Sequence, residues 1–175
     1  CNPELIAAAQ NNTAKLGFSD RFALHTGELA DTRFLENLRM EASPVQLVMA
    51  NPPWRLVGSG RLPATEARRK ALFGDKGTFP LFASAASSLL EEDGRFACII
   101  SPDRLQDMLA ALDGAGLTPY LLQYIHKQKT SPATFVLIEA RKGAHAKPSV
   151  AEPIALYGPE RFFTLESLAF CPFLR

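Results

Sequence analysis

Cysteine and histidine are scarce, three of each in 175 residues. Cys1, Cys98 and Cys171 are odd in number and widely separated, so they make neither a disulfide framework nor a paired metal clip. Such usage fits a reducing cytoplasm. His25, His126 and His145 have no Cys or His neighbour at a helical or knuckle spacing, which leaves no metal site to expect. Long apolar runs are also missing. The longest, such as 96–100 and 135–138, fall far short of the roughly 20 residues that span a bilayer, so no membrane segment is expected. No signal peptide is visible either. The chain opens on Cys1 rather than Met and enters a helical pattern within two residues, so an upstream portion is expected.

The composition is otherwise that of an ordinary globular domain, with 47% hydrophobic and 21% charged residues, enough apolar surface to offset chain entropy. A length of 175 residues suits a single domain, 1–175. The net charge of +1 conceals two basic zones. Residues 51–80 carry six basic and two acidic side chains, and residues 119–150 carry five and one, whereas 1–50 and 81–118 are net acidic. Segregated positive charge points to a local polyanion contact, and a solvated basic face would give the same count.

Apolar periodicity alternates along the chain. Asn2-Pro3 opens a helix over 3–16 that Gly17 stops, 21–26 reads as a short strand ending at Gly27-Glu28, and 31–39 reads as a second helix. The almost continuously apolar stretch 45–50 has the character of a buried parallel strand, cut off by Asn51-Pro52-Pro53-Trp54. Residues 55–77 read as a long loop with a helical turn near 66–72, and such loops are usually functional. A helix over 78–90, a turn at Asp93-Gly94, a strand over 95–100 and a helix with Leu105, Met108, Leu109 and Leu112 on one face follow. Two strands, 117–126 and 134–141, have no helix between them and are expected to be antiparallel. A linker over 142–153 leads to a tail rich in Phe. The expected fold is α/β, a mostly parallel sheet with helices on both faces and a terminal antiparallel hairpin, which binds ligands at the carboxyl ends of its strands.

Asn51-Pro52-Pro53-Trp54 falls at such an end, and average residue frequencies give it a chance occurrence on the order of one in a thousand in a chain this long. An exocyclic or amide nitrogen is a poor nucleophile because its lone pair is delocalised. Two neutral acceptors aimed at its two N–H bonds localise that pair without a strong base. The Asn51 amide oxygen and the Pro52 carbonyl can be those acceptors. The consecutive prolines restrict the backbone and hold both in place, and Trp54 offers a face on which a flat substrate can stack. A proline-rich strand exit plugged by a core tryptophan is the competing explanation, but it gives no reason for Asn at the first position.

The tetrapeptide resembles the fourth motif of amino-directed methyltransferases. In order along the chain, Gly58-Ser59-Gly60-Arg61, Glu66-Ala67-Arg68-Arg69, Asp93-Gly94-Arg95-Phe96, Pro102-Asp103-Arg104-Leu105, His126-Lys127 and the run 136–143 are similar to the bacterial family that methylates adenine N6 in tRNA(Val). The resemblance covers most of residues 1–170. It implies a Rossmann-like class I methyltransferase sheet, S-adenosyl-L-methionine as cofactor, and tRNA or another structured RNA as partner. It also implies catalytic roles for Asn51 and Pro52, substrate contacts by Pro53, Trp54, Arg61, Arg68, Arg69 and Lys70, and cofactor contacts by Glu28, Leu29 and Asn51. Glu28 stands where the family usually has Asp. The family's first strand, Gly-rich loop and second strand have no counterpart here, so the chain by itself is expected to be inactive without them. Three other functions remain open: methylation of a protein glutamine amide, methylation of rRNA guanine N2, and a non-catalytic RNA-binding remnant.

Overall fold

The computed structural model describes residues 3–56, 64–143, 147–160 and 162–171. Helix α1 (Pro3–Lys15) precedes a 3-10 turn (Ser19–Arg21), helix α2 (Thr32–Ala42) and strand β1 (Val45–Ala50). The short strands β2 (Arg55–Leu56) and β3 (Phe73–Gly74) flank α3 (Glu66–Leu72). Then come α4 (Thr78–Leu89), β4 (Leu90–Ile100), a 3-10 turn (Pro102–Arg104), α5 (Leu105–Gly114), β5 (Leu117–His126) and β6 (Ala133–Lys142). Strands β7 (Ser149–Val150) and β8 (Ile154–Ala155) and helix α6 (Leu165–Phe170) complete the described chain.

The main sheet has the order β1-β4-β6-β5-β7, with β8 also paired to β5. β1 runs parallel to β4, and β7 and β8 run parallel to β5, while β6 is antiparallel to both β4 and β5. Hence β6 alone opposes the common direction, and the expected mostly parallel sheet with its antiparallel hairpin is present. Alternation sets the core. Phe96 and Ile100 of β4 and Val136, Ile138 and Ala140 of β6 are buried on one face beneath Phe79, Ala83 and Ala86 of α4 and Met108 and Leu112 of α5. Each fully buried Leu, Phe or Met contributes roughly 1.5–3 kcal/mol relative to exposure, so this layer dominates the stability of the described fold.

Five details differ from the sequence reading. The expected strand at 21–26 is a 3-10 turn over Ser19–Arg21 followed by extended chain in no ladder, because a strand needs a hydrogen-bonded neighbour and β1 pairs only with β4. Among the described residues helices do not cover both faces: α4 and α5 pack on one, and β1, expected to be buried, has no buried residue, with Met49 on the other face 75% exposed. β4 starts at Leu90 rather than 95, since Asp93, at φ 62, absorbs a register shift between Val45↔Leu90 and Leu47↔Arg95. The long loop contains the β2–β3 ribbon with α3, and the linker contains β7, which pairs Ser149 and Val150 with Leu121 and Leu122. No helix among the described residues is long and apolar enough to cross a membrane.

Candidate active site

Asn51 to Trp54 leave the end of β1 in no regular secondary structure. Two of the four residues are prolines without an N–H, so the backbone here is held largely through its carbonyls. The Trp54 carbonyl accepts a hydrogen bond from Arg104 Nη1 at 2.9 Å. The Pro53 carbonyl lies against Gly74 so closely that a β-carbon there would stand 2.5 Å from its oxygen. Pro52 is fully buried, and Asn51 is exposed. The motif therefore has a fixed base and an accessible amide.

Trp54 is half-buried against the core. Its ring meets Phe135 of β6 edge-on, with centroids 6.1 Å apart and planes at 75°, and the Arg55 guanidinium lies 5.3 Å from the ring centroid. Trp54 is thus part of the packing at the exit of β1. Arg104, only 4% exposed, donates from Nε to Asp107 Oδ2 at 2.7 Å and lies 4.5 Å above the Phe79 ring centre.

A cavity of about 610 Å³ opens beside the motif on the uncovered face of the sheet, lined by Asn51 with Met49, Ile99, Leu137, Glu139 and Phe170. Its size falls within the usual range for small-molecule sites, about 300–1,000 Å³. Cys98 also borders it, but burial pushes that thiol up to about 12, which keeps it protonated and excludes it as a nucleophile near neutral pH. Two further cavities flank the motif. One, of about 660 Å³, includes Pro53, Phe73 and Thr78, and the other, of about 550 Å³, includes Leu56, Lys76, Arg104 and Asp107.

The remaining candidates are dispersed around this centre. Glu28 is exposed and Leu29 half-buried, in the turn that enters α2. Asp31 caps that helix by accepting from the amides of Arg33 and Phe34. Gly27 lies against the Phe34 ring, where a β-carbon would come within 2.4 Å, so the residue before Glu28 is restricted to glycine in this arrangement. Glu28 and Leu29 do not line the 610 Å³ cavity. Arg68 and Arg69 are exposed on α3, whose N-cap Thr65 accepts from the Arg68 amide. Lys70 is on the same helix, and Arg61 lies outside the described residues. Because β2 leaves directly from Trp54 and pairs with β3, α3 belongs to the same local unit as the motif.

The second basic zone begins with Lys127 and Lys129, in the turn from β5 to β6, where His126 Nδ1 contacts the Ser131 carbonyl at 2.6 Å. β1 and β5 run the same way, so this turn and Asn51 both follow carboxyl ends of strands. Among the described residues no three His, Cys, Asp or Glu side chains assemble as a metal site. Sequence reasoning missed three residues that shape the motif: Gly74, Arg104 and Phe135. Only Arg104 carried a sequence signal, its place just after a buried strand in Pro102-Asp103-Arg104.

The strand order, with one antiparallel strand inserted between parallel neighbours, defines a Rossmann-like methyltransferase fold. A predicted O-methyltransferase from Agrobacterium tumefaciens superimposes with a TM-score of 0.69 at 20% identity, over 99% of this chain and 73% of that one. An O-methyltransferase family 2 protein from Planctomyces limnophilus, solved with apigenin, gives a TM-score of 0.50 at 16% identity, over 81% of this chain and 41% of that one. No protein-family model matches the chain, and no curated protein is similar to it in sequence.

Proposed function

We propose that the protein is an S-adenosyl-L-methionine-dependent methyltransferase acting on an exocyclic amine, adenine N6 in tRNA or another structured RNA. The observation that carries this reading is the exposed Asn51 amide at the carboxyl end of β1, on a loop whose next residue is fully buried. The fold supports the reaction class, and the cavity beside Asn51 has a size suited to a nucleoside-sized group. The residues assigned to the cofactor fit it in kind: Glu28 offers an exposed carboxylate to adenine or ribose donors, Leu29 an apolar flank, and Asn51 an amide. When bound, the cofactor supplies an electrophilic methyl group on a sulfonium.

In this reading the Asn51 amide oxygen accepts one amine N–H, and the Pro52 carbonyl, at the buried end of the motif, takes the other. The nitrogen lone pair is thereby localised toward the incoming methyl, and the amine loses one proton to solvent after transfer. In this reading the Trp54 ring, packed edge-on against Phe135, would stack on a flat base at the rim of the site. The two similar structures are named O-methyltransferases; a hydroxyl acceptor would need a base for its single proton. Two neutral acceptors suit an NH₂ group better. The basic side chains of α3 and of the β5–β6 turn favour RNA over a glutamine side chain, since an amide acceptor needs no polyanion surface.

The test is Asn51→Ala in the full-length protein, assayed for methyl transfer and, separately, for cofactor affinity. Transfer is expected to fall roughly 100-fold or more with affinity nearly unchanged, because the acceptor acts mainly in the transition state. Equal loss of cofactor binding would place Asn51 in the cofactor pocket or the fold instead.

A further inference from the structure

We infer that Arg104 is the positioning residue of the acceptor site, holding the Asn51–Trp54 loop in its working conformation through the Trp54 carbonyl. The inference rests on the reading of Asn51 given under Proposed function and identifies what keeps that residue in place.

The argument begins with the loop's backbone. Pro52 and Pro53 have no N–H to offer, and no ladder or helix includes residues 51–54. A loop of this kind keeps one conformation only if its carbonyls are bound or its side chains are packed. Pro52 is packed, and the Pro53 carbonyl is confined by Gly74. The Trp54 carbonyl is bound by Arg104, a residue fifty positions away on the next strand's exit.

Arg104 is built for this contact. A buried charge is costly unless it is paired and hydrogen-bonded. Here its side chain is 5% exposed, whereas that of its ion partner Asp107 is 60% exposed. The carboxylate therefore anchors the Nε side of the guanidinium from the solvent side, the Phe79 ring supports its face at 4.5 Å, and Nη1 points inward to the loop. Only a planar fork reaches two partners in fixed directions while stacking on a ring, and a lysine ammonium cannot do all three. Trp54 leaves this carbonyl toward β2, so a displaced carbonyl moves the tryptophan ring and, three residues back, the Asn51 amide.

Trp54 is the chain's sole tryptophan, so intrinsic fluorescence reports the loop directly, with no need for a substrate. The experiment compares wild type, R104M, R104K and D107N by emission maximum and by acrylamide quenching at 25 °C. A core variant at the opposite end of β5, L117A, serves as the control for general destabilisation. R104M is expected to raise the quenching constant at least two-fold and shift the emission, with R104K close behind and D107N, which keeps an oxygen acceptor for Nε but loses the charge, between them and wild type. L117A should lower Tm without changing either signal. R104K also guards against a failure of R104M to fold. In methyl-transfer assays R104M and R104K should lower kcat by roughly 10- to 100-fold, the scale on which misplacement of about 1 Å acts, with the cofactor KM within two-fold.

Wild-type quenching and emission in both Arg104 variants would overturn the inference, and so would an unchanged kcat. If the full-length wild-type protein methylates no amine at all, the proposed function falls, while the fluorescence comparison still decides whether Arg104 holds Trp54.

Discussion

The Pro53 carbonyl and the Gly74 backbone approach so closely that only glycine leaves room between them. Phe73 and Gly74 form β3, which pairs with β2 directly after Trp54, so this contact joins the ribbon carrying α3 to the motif. Gly74→Ala is expected to destabilise the protein by about 1–3 kcal/mol, as overpacking does, and to lower methyl transfer beyond the loss of folded protein. Gly114→Ala, whose added β-carbon meets nothing within 4 Å, should be neutral or slightly stabilising. Urea titrations of both variants, with activity per folded molecule, check the pair.

Trp54 packs on Phe135 and carries the proposed stacking role, so two substitutions separate the two. Trp54→Ala should weaken RNA binding by roughly 1–3 kcal/mol through lost stacking and also lower Tm, because the ring packs on Phe135 and the core. Trp54→Phe should retain most of both. Binding isotherms at fixed salt, together with thermal melts, distinguish these outcomes.

The exposed Arg68 and Arg69, with Lys70 on the same helix, are expected to contact phosphates rather than bases. Replacing all three by Gln should flatten the dependence of log affinity on log salt by up to about three contacts, at roughly 0.7–0.9 per contact, with cofactor affinity unchanged. Trp54→Ala should leave that slope alone. A wild-type RNA affinity indifferent to salt, or methylation of a peptide glutamine and no RNA, would move the acceptor to the protein amide.

Burial raises the Cys98 thiol to about 12 from its ordinary 9.0. The folded pKa exceeds the unfolded one, so the contribution is fully present below pH 9 and is lost as pH rises toward 12, where only the unfolded chain releases the proton. The slope is about 1.4 kcal/mol per pH unit for this one group. Unfolding free energies measured between pH 8 and 11 should fall more steeply in wild type than in Cys98→Ala. Equal slopes would show that the thiol is solvated in the folded state.

The sheet was legible wherever local pattern and local partner coincide. The continuous apolar run of β1, the 3.6-residue period of α5 and the uninterrupted pair β5–β6 are each set by nearby residues, and their observed bounds lie within a residue or two of those expected. The segment 21–26 was misread because strand propensity is local, but a ladder requires a neighbour, and none pairs there. The bulge at Asp93 was hidden for a related reason: a turn signature and a positive-φ bulge use the same residue types.

For the site, the sequence alone determined the tetrapeptide, its position at the carboxyl end of a strand and the chemistry of an amide oxygen beside constrained carbonyls. Those properties belong to covalent structure and local sterics. Only the tertiary structure decided which atoms fix the loop, since Gly74, Arg104 and Phe135 lie 21, 50 and 81 residues from Pro53, Trp54 and Trp54 respectively. Arg104 and Phe135 meet the motif where β1 and β4 end and β6 begins, and Gly74 meets it through the β2–β3 ribbon, because the order of strands in the fold differs from their order in the chain.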